Sequence, residues 1–171
     1  MIKAIVCVDK NWGIGSKNDL LFHLPLDMRH FRDLTINKIV VCGYNTLLSF
    51  PGSKPLKGRS TIVLCPEGID RDDCICLHSF EETLKVVKEL AKTQDVMIIG
   101  GAMFYKSMLP YCDKVYVTKV DADGEAEVFF PNLDEHPDWE YCEVSQIERD
   151  GNYDIRFWKY TKKIPLEELW G

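Results

Sequence analysis

Basic stretches are missing from this sequence. Its 171 residues carry 27 acidic against 21 basic side chains, a net charge of −6 and a pI of about 5.2, and nowhere do lysines or arginines gather in a block. That excludes the footprint that nucleic acid or an anionic lipid surface needs, and leaves small molecules or proteins as partners. Apolar runs of membrane length are missing as well. The opening "MIKAIVCVDK" is too short for the apolar core and cleavage site of a signal peptide, so the expected compartment is the cytoplasm. No internal repeat or low-complexity tract is present. The seven cysteines, an odd number, include no C-x-x-C pair and several fall inside apolar, strand-like runs, so they read as buried, reduced thiols. Cys74 and Cys76 could share one face of a strand, but nothing at metal-ligand spacing accompanies them and no metal is expected. Histidines 23, 30, 78 and 136 show no triad or metal spacing, and His30 reads as solvated.

What is present is one core's worth of apolar residues, 46% of the chain, too short for two comfortable domains. The expected organisation is one domain over residues 1–160 and a short tail over 161–171, with Leu166, Leu169 and Trp170 docking on the body. Strand-like runs "IKAIVCV", "KIVVCG", "STIVLC", the weaker "CICLH" and "DVMIIGG" alternate with helical patterns. One helix opens at Pro25, a short one near Asn45, one follows Ser79 with Glu82 completing a capping box, and one reads "AMFYKSMLP". After the strand "KVYVTKVDA", residues 139–163 read as two strands joined at Asp150 and Gly151. The predicted fold class is therefore α/β: a mostly parallel central sheet with helices on both faces and an antiparallel C-terminal hairpin at its edge.

Three features carry chemistry. On the helix from Pro25, apolar residues recur at Leu24, Met28, Phe31 and Leu34, and Asp27 falls within that stripe while Arg29 and Asp33 point away. An acid in a first turn can serve the helix dipole and free N–H groups; an acid in an apolar pocket has its pKa raised and suits proton chemistry near neutrality. Both readings stand at this point. The strand-to-helix junctions "VVCGYNT" and "MIIGGAMFY" carry glycine where backbone can approach a phosphate, although neither is a G-x-G-x-x-G or P-loop motif. Two of them in one sheet point to a nucleotide with a pyrophosphate. Arg59, in a Pro-Gly-Lys loop leading into a strand, is either a solvated loop charge or an anion contact. With no nucleophile constellation, the set points to a cofactor that does the hard chemistry.

The segments "VDKNWGIGSKNDLLFHLPLDMRHF", "VVCGYNT", "PLKGRSTIVL", "VMIIGGAMFYKSMLP", "VYVTKVDADGEAEVFFP" and "DWE" fall in order along nearly the whole chain. In that order and spacing the sequence resembles the dihydrofolate reductase family. The resemblance implies NADPH-dependent reduction of dihydrofolate, with hydride passing to pterin C6 and a proton to N5. It makes Asp27 the acid of the pterin pocket, supported by Thr118, with Leu20 and Phe22 beside the reacting centre. Ile5, Val6, Leu20, Phe31, Phe50, Leu56, Ile99 and Tyr105 correspond to the pterin's apolar walls, Arg59 to the arginine that binds the α-carboxylate of the folate glutamate, and Arg32 to a further substrate contact. Cofactor contacts are implied for Cys7, Ile14, Gly15, Asn18 and Leu20 near the nicotinamide. Others are Gly43, Tyr44, Asn45, Thr46, Leu64, Cys65 and Pro66, and the run Ile99, Gly100, Gly101, Ala102, Met103, Phe104 and Tyr105. Residues 11 to 23 resemble the family's mobile lid, and antifolate inhibitors are implied ligands; a monomer is expected because no long exposed apolar patch is evident.

The sequence also departs from the family's pattern. Phe22 stands where the family usually has tryptophan, and so loses an indole donor. Tyr44, Asn45, Pro66 and Met103 stand where relatives often carry cations or hydroxyls around the cofactor's adenosine, and Glu127 with Val128 replaces a common Asp-Thr. Two alternatives stay open: a reductase of a riboflavin-pathway pyrimidine, and a non-catalytic nucleotide- or folate-binding module.

Overall fold

A computed structural model of the chain describes residues 1–16, 19–164 and 168. The expected cofactor contact of Asn18 and the docking of Leu166, Leu169 and Trp170 concern positions outside the described residues. The first half supplies β1 (Ile2–Val8), β2 (Gly13–Gly15), α1 (Pro25–Thr35), β3 (Ile39–Gly43), α2 (Tyr44–Ser49) and β4 (Ser60–Leu64). Then come β5 (Ile75–Leu77), α3 (Phe80–Leu90), β6 (Val96–Gly100), α4 (Ala102–Met108), β7 (Lys114–Val120) and β8 (Val128–Phe129). The chain closes with β9 (Trp139–Val144), β10 (Glu148–Asp150) and β11 (Tyr153–Lys162), which carries the sheet two residues past position 160.

The main sheet runs β10-β11-β7-β1-β6-β3-β4-β5, with β9 also on β11. Strands β7 to β5 along this order are parallel, and β11 joins β7 antiparallel. This is the predicted class. Period-two alternation sorts each strand onto two faces. Ala4, Val6, Val41, Ile62, Ile98 and Val117 face α3 and α4, whose Val87, Phe104 and Met108 complete one core. Ile5, Val40, Cys42, Val63, Met97 and Ile99 face the other way, under Leu47 of α2 and Phe31 and Leu34 of α1. A smaller cluster of Leu24, Val120 and Ile155 continues that second face toward β11, with Cys7, Phe22, Leu26 and Phe157 packed on it.

The C-terminal arm departs from two unbroken strands. Residues 145–147 interrupt its first half, so β9 and β10 pair separately with β11. Ser145 explains why the pairing survives: its N–H donates to the Phe157 carbonyl and its hydroxyl accepts from the Phe157 N–H, both at 2.9 Å. A second feature is the small sheet of β2 with β8, in stretches that read as loop. The seven thiols are free, with the sulfurs of Cys74 and Cys76 3.9 Å apart, but Cys142 is exposed rather than buried because it lies on the open face of β9. No helix among the described residues is long and apolar enough to cross a membrane.

Met28 is also not where the helical stripe put it. It is 59% exposed, and in α1 only Thr35 is fully enclosed, so the apolar face of this helix is half open. Phe31, Leu34, Tyr44 and Phe50 are likewise only partly covered where they pack on the second face. An apolar lining left partly open is what a planar apolar ligand would complete.

Candidate active site

Asp27 belongs to the first turn of α1, and its side chain turns toward β7, where Thr118 Oγ1 donates to its Oδ1 at 2.6 Å. Thr118 is the cross-strand neighbour of Cys7 on β1, so carboxyl, hydroxyl and thiol converge on the second face. Burial pushes the Asp27 carboxyl above its ordinary pKa; the Thr118 bond, the His30 ring and the Cys7 thiol pull it down, and the nearby Asp150 adds to the rise. Burial first, and then the Asp27 charge, holds the Cys7 thiol well above its usual range, so it stays protonated. The Asp27 side chain is also not the cap of its own helix. The free N–H groups at the start of α1, those of Leu26 and Asp27, donate to Asp150 Oδ2 at 3.0 and 3.1 Å, and the Asp27 side chain is released from capping. His30 is not simply solvated: its ring lies tilted against Phe157 with centroids 4.1 Å apart, and burial lowers its pKa.

Of the expected pocket residues, Ile5 and Ile99 lie buried on the Asp27 side of the sheet, with Phe31 and Phe50 at the partly covered rim and Leu56 half-buried on the loop before β4. Val6 does not join them. Adjacent strand residues point to opposite faces, and its side chain packs under α3 and α4, so only its backbone can serve the pocket. Phe104 and the ring of Tyr105 pack in that same opposite core, but the Tyr105 hydroxyl reaches the Ile5 carbonyl at 2.5 Å and pins β1 beside the end of β6. Phe22 packs near Leu24 and meets Tyr153 edge-on, centroids 4.9 Å apart. Leu20 and Met103, 61% and 85% exposed, join none of the apolar clusters.

Arg59 is drawn toward the protein. Its Nε donates to Thr35 Oγ1 at 3.1 Å and a terminal nitrogen to the Lys57 carbonyl at 2.6 Å. Burial, and then the charge of Arg32, lowers its pKa. Among the described residues no carboxylate forms a salt bridge with either arginine. Two adjacent cations held without an acid are a place for an anion.

The two glycine junctions meet. Strands β3 and β6 are parallel neighbours with Cys42 beside Gly100, so Gly43 to Thr46 lies against Gly100 and Gly101 at the carboxyl ends of both strands. That is where an open α/β sheet binds ligands. A Cβ on Gly100 or on Gly101 would stand 3.2 Å from Thr46 Oγ1, so the backbone's approach depends on both glycines. The peptide between them is cis. Ala102 follows half-buried, Asn45 is exposed at the start of α2, and Tyr44 packs under the second face. At the end of β4, Leu64 and Cys65 are covered and Pro66 is exposed; beyond them Arg71 is closed off by Asp73 at 2.9 and 2.7 Å and by the Ser53 carbonyl. Ile14 and Gly15 sit on β2, which Glu127 ties down by donating its N–H to the Gly15 carbonyl at 2.8 Å.

The dihydrofolate reductase family model matches residues 1–162. The chain belongs to the dihydrofolate reductase family. The dihydrofolate reductase of Haemophilus influenzae is 33% identical over 160 residues, covering 93% of this chain and 97% of the relative. That of Bacillus subtilis is 32% identical over 167 residues, covering 95% of each. A solved dihydrofolate reductase from Enterococcus faecalis, in complex with NADP(H) and RAB-propyl, superposes with a TM-score of 0.83 at 28% identity, over 96% of this chain and 97% of that one.

Two residues of this family member escaped the sequence reading. Asp9 is buried after β1 and accepts the N–H groups of Asn11, Gly13 and Gly124 at 2.8, 2.7 and 3.0 Å. An aspartate four residues before a glycine, just past a strand, is the local signal for such a turn. Asp150 had only its hairpin signal, because its partners lie 124 and 123 residues away.

Proposed function

We propose that the chain reduces 7,8-dihydrofolate to 5,6,7,8-tetrahydrofolate with NADPH, Asp27 assisting protonation at pterin N5. The observation that carries the reading is a carboxyl set in an apolar wall, fixed by Thr118 and relieved of helix capping. NADPH would supply the hydride for pterin C6, and the side-by-side glycine junctions would hold its phosphates, since a Cβ on Gly100 or Gly101 would crowd Thr46. The rest belongs to the protein's own groups. Thr118 spends its hydrogen on Oδ1 and so holds the carboxyl in one orientation toward a ring lying over Ile5 and Phe31. Burial raises the affinity of Asp27 for a proton above that of an ordinary carboxylate, against the pull of Thr118, His30 and Cys7. Phe22 covers the cleft without donating a hydrogen bond, and β2 and β8 hold the start of the loop that leads to it. Arg32 and Arg59 receive the glutamate carboxylates. We place the enzyme in the cytoplasm as a monomer of one domain, which β11 extends to Lys162.

The test is absorbance of NADPH with the purified protein. Oxidation is expected only when dihydrofolate is added. Binding of both ligands without turnover would establish a non-catalytic module, and turnover of a ribosylated pyrimidine instead would establish the riboflavin-pathway alternative.

Replacing Arg59 with alanine is expected to weaken folate far more than a pteridine lacking the glutamate. Charge-assisted contacts to a carboxylate contribute about 1.5–3 kcal/mol, or roughly ten- to a hundredfold in Kd. Titration calorimetry of the two ligands separates this from loss of the Thr35 contact, which would weaken both equally.

A further inference from the structure

The start of α1 is an accounting problem whose answer comes from the other end of the chain. Leu24 stands at the N-cap and has no side-chain oxygen to offer. Pro25 has no N–H, and the N–H of Met28 already donates to the Leu24 carbonyl at 2.8 Å. That leaves the N–H groups of Leu26 and Asp27, and both go to one oxygen of Asp150, a residue only 5% exposed. Asp150 is held in its turn by the hairpin, where it ends β10 opposite Tyr153 of β11.

We propose that Asp150 is a positioning residue for Asp27: it anchors the main chain of the acid while Thr118 anchors its side chain, so that the C-terminal hairpin fixes where the proton-handling group stands. This rests on reading Asp27 as the acid of the site. An ordinary cap secures a helix end. This one accepts from the acid's own N–H, and the two anchors come from β10 and β7, the strands bonded to β11 and therefore rigid relative to each other. Its carboxylate also faces Asp27 as a like charge, with the neutral Cys7 thiol in the same covered region. The other groups facing Asp27 are the Thr118 hydroxyl, the Cys7 thiol, the His30 ring from α1 and the Tyr105 hydroxyl, with the Tyr153 ring in the adjoining cluster.

The experiment uses two variants of the full chain. Asp150→Asn keeps an oxygen of the same shape for the two N–H groups and removes the charge; Asp150→Ala removes the acceptor. In ligand-free protein, the Asp27 side-chain carboxyl followed by NMR is expected to titrate lower in Asp150→Asn than in the parent, because a like charge has been taken away. The high-pH limb of kcat moves in the same direction. Asp150→Ala is expected to lose about tenfold in kcat with KM for NADPH within about twofold, the size of effect that misplacing one group by a fraction of an ångström produces. The amides of Leu26 and Asp27 should exchange with solvent faster in that variant and stay protected in Asp150→Asn. An Asp27 titration identical in parent and Asp150→Asn, or parental kcat and amide protection in Asp150→Ala, overturns the assignment. The titration and exchange need no substrate, so they would stand even if the parent failed to turn over dihydrofolate, a failure that would count against the proposed reaction alone.

Discussion

At pH 7, Asp27→Asn is expected to reduce dihydrofolate about a hundredfold to a thousandfold more slowly than the parent, the range in which one general acid or base contributes. The amide is nearly isosteric, and Thr118 can still donate to its oxygen, so packing is unchanged. What is lost is the negative charge that favours a protonated pterin. Below about pH 5 the difference should narrow, because substrate protonated from solution needs less help. A pH profile parallel to the parent's would return Asp27 to a structural role at the helix start.

The same variant should be more stable at neutral pH. The folded protein raises the pKa of Asp27 above the unfolded value, chiefly by burial. The contribution of that carboxyl to stability is therefore complete in acid, below the unfolded pKa of about 3.9, and is lost as pH rises through the raised folded value. At pH 7 the ionised side chain is a net cost that the amide removes. About 1 kcal/mol corresponds to a Tm gain of roughly 2–4 °C in a chain of this size. The gain should fade near pH 3, where Asp27 is neutral in both folded and unfolded chains. Loss of activity with a gain in Tm is the signature of a group kept for chemistry against stability.

How far the sequence alone reaches can be judged from these residues. Alternating apolar runs and helical periods place the parallel strands and the four helices, and helical spacing puts Asp27 on the inward face. Those signals are local, and local pattern is strong wherever an element is long. It fails for β2 and β8, because three and two residues are too few to establish a period. It fails at Ser145, whose hydroxyl bonds a backbone N–H within the ladder and lets the arm break without loss of pairing. Long-range partners are invisible in the same way: nothing near Leu24 announces Asp150, and nothing near His30 announces the Phe157 ring. Val6 is different, since period two already set it opposite Ile5. The family resemblance brought both into one pocket, and the fold separates their side chains.

Replacing Asp9 with alanine is expected to lower stability by about 3–4 kcal/mol. Its two oxygens take three backbone N–H groups, Asn11 and Gly13 on Oδ1 and Gly124 on Oδ2. A buried donor left without a partner costs about 1–3 kcal/mol, and water regaining access to Asn11 offsets part of the sum. No side chain can be rebuilt into the space at Gly13, where a Cβ would stand 2.3 Å from that of Ala126 and 2.9 Å from Asp9 itself. The turn also carries Trp12 in a left-handed conformation, φ 64°, with its ring stacked on Phe130 and meeting Tyr160 edge-on. Loss of Asp9 thus releases the turn between β1 and β2 together with an aromatic contact of the main core. Thermal unfolding should show a Tm drop on the order of 10 °C. Asp9→Asn refines the point. Its oxygen can keep Asn11 and Gly13, but its amide would turn a donor toward the Gly124 N–H, so the turn should persist while the tie to residues 121–127 opens. Hydrogen exchange is then expected to rise at Gly124 and at Glu127, whose N–H meets the Gly15 carbonyl, with Gly13 still protected. Equal protection at all three amides in Asp9→Asn would show that the pairing of β2 with β8, and not Asp9, holds the loops together.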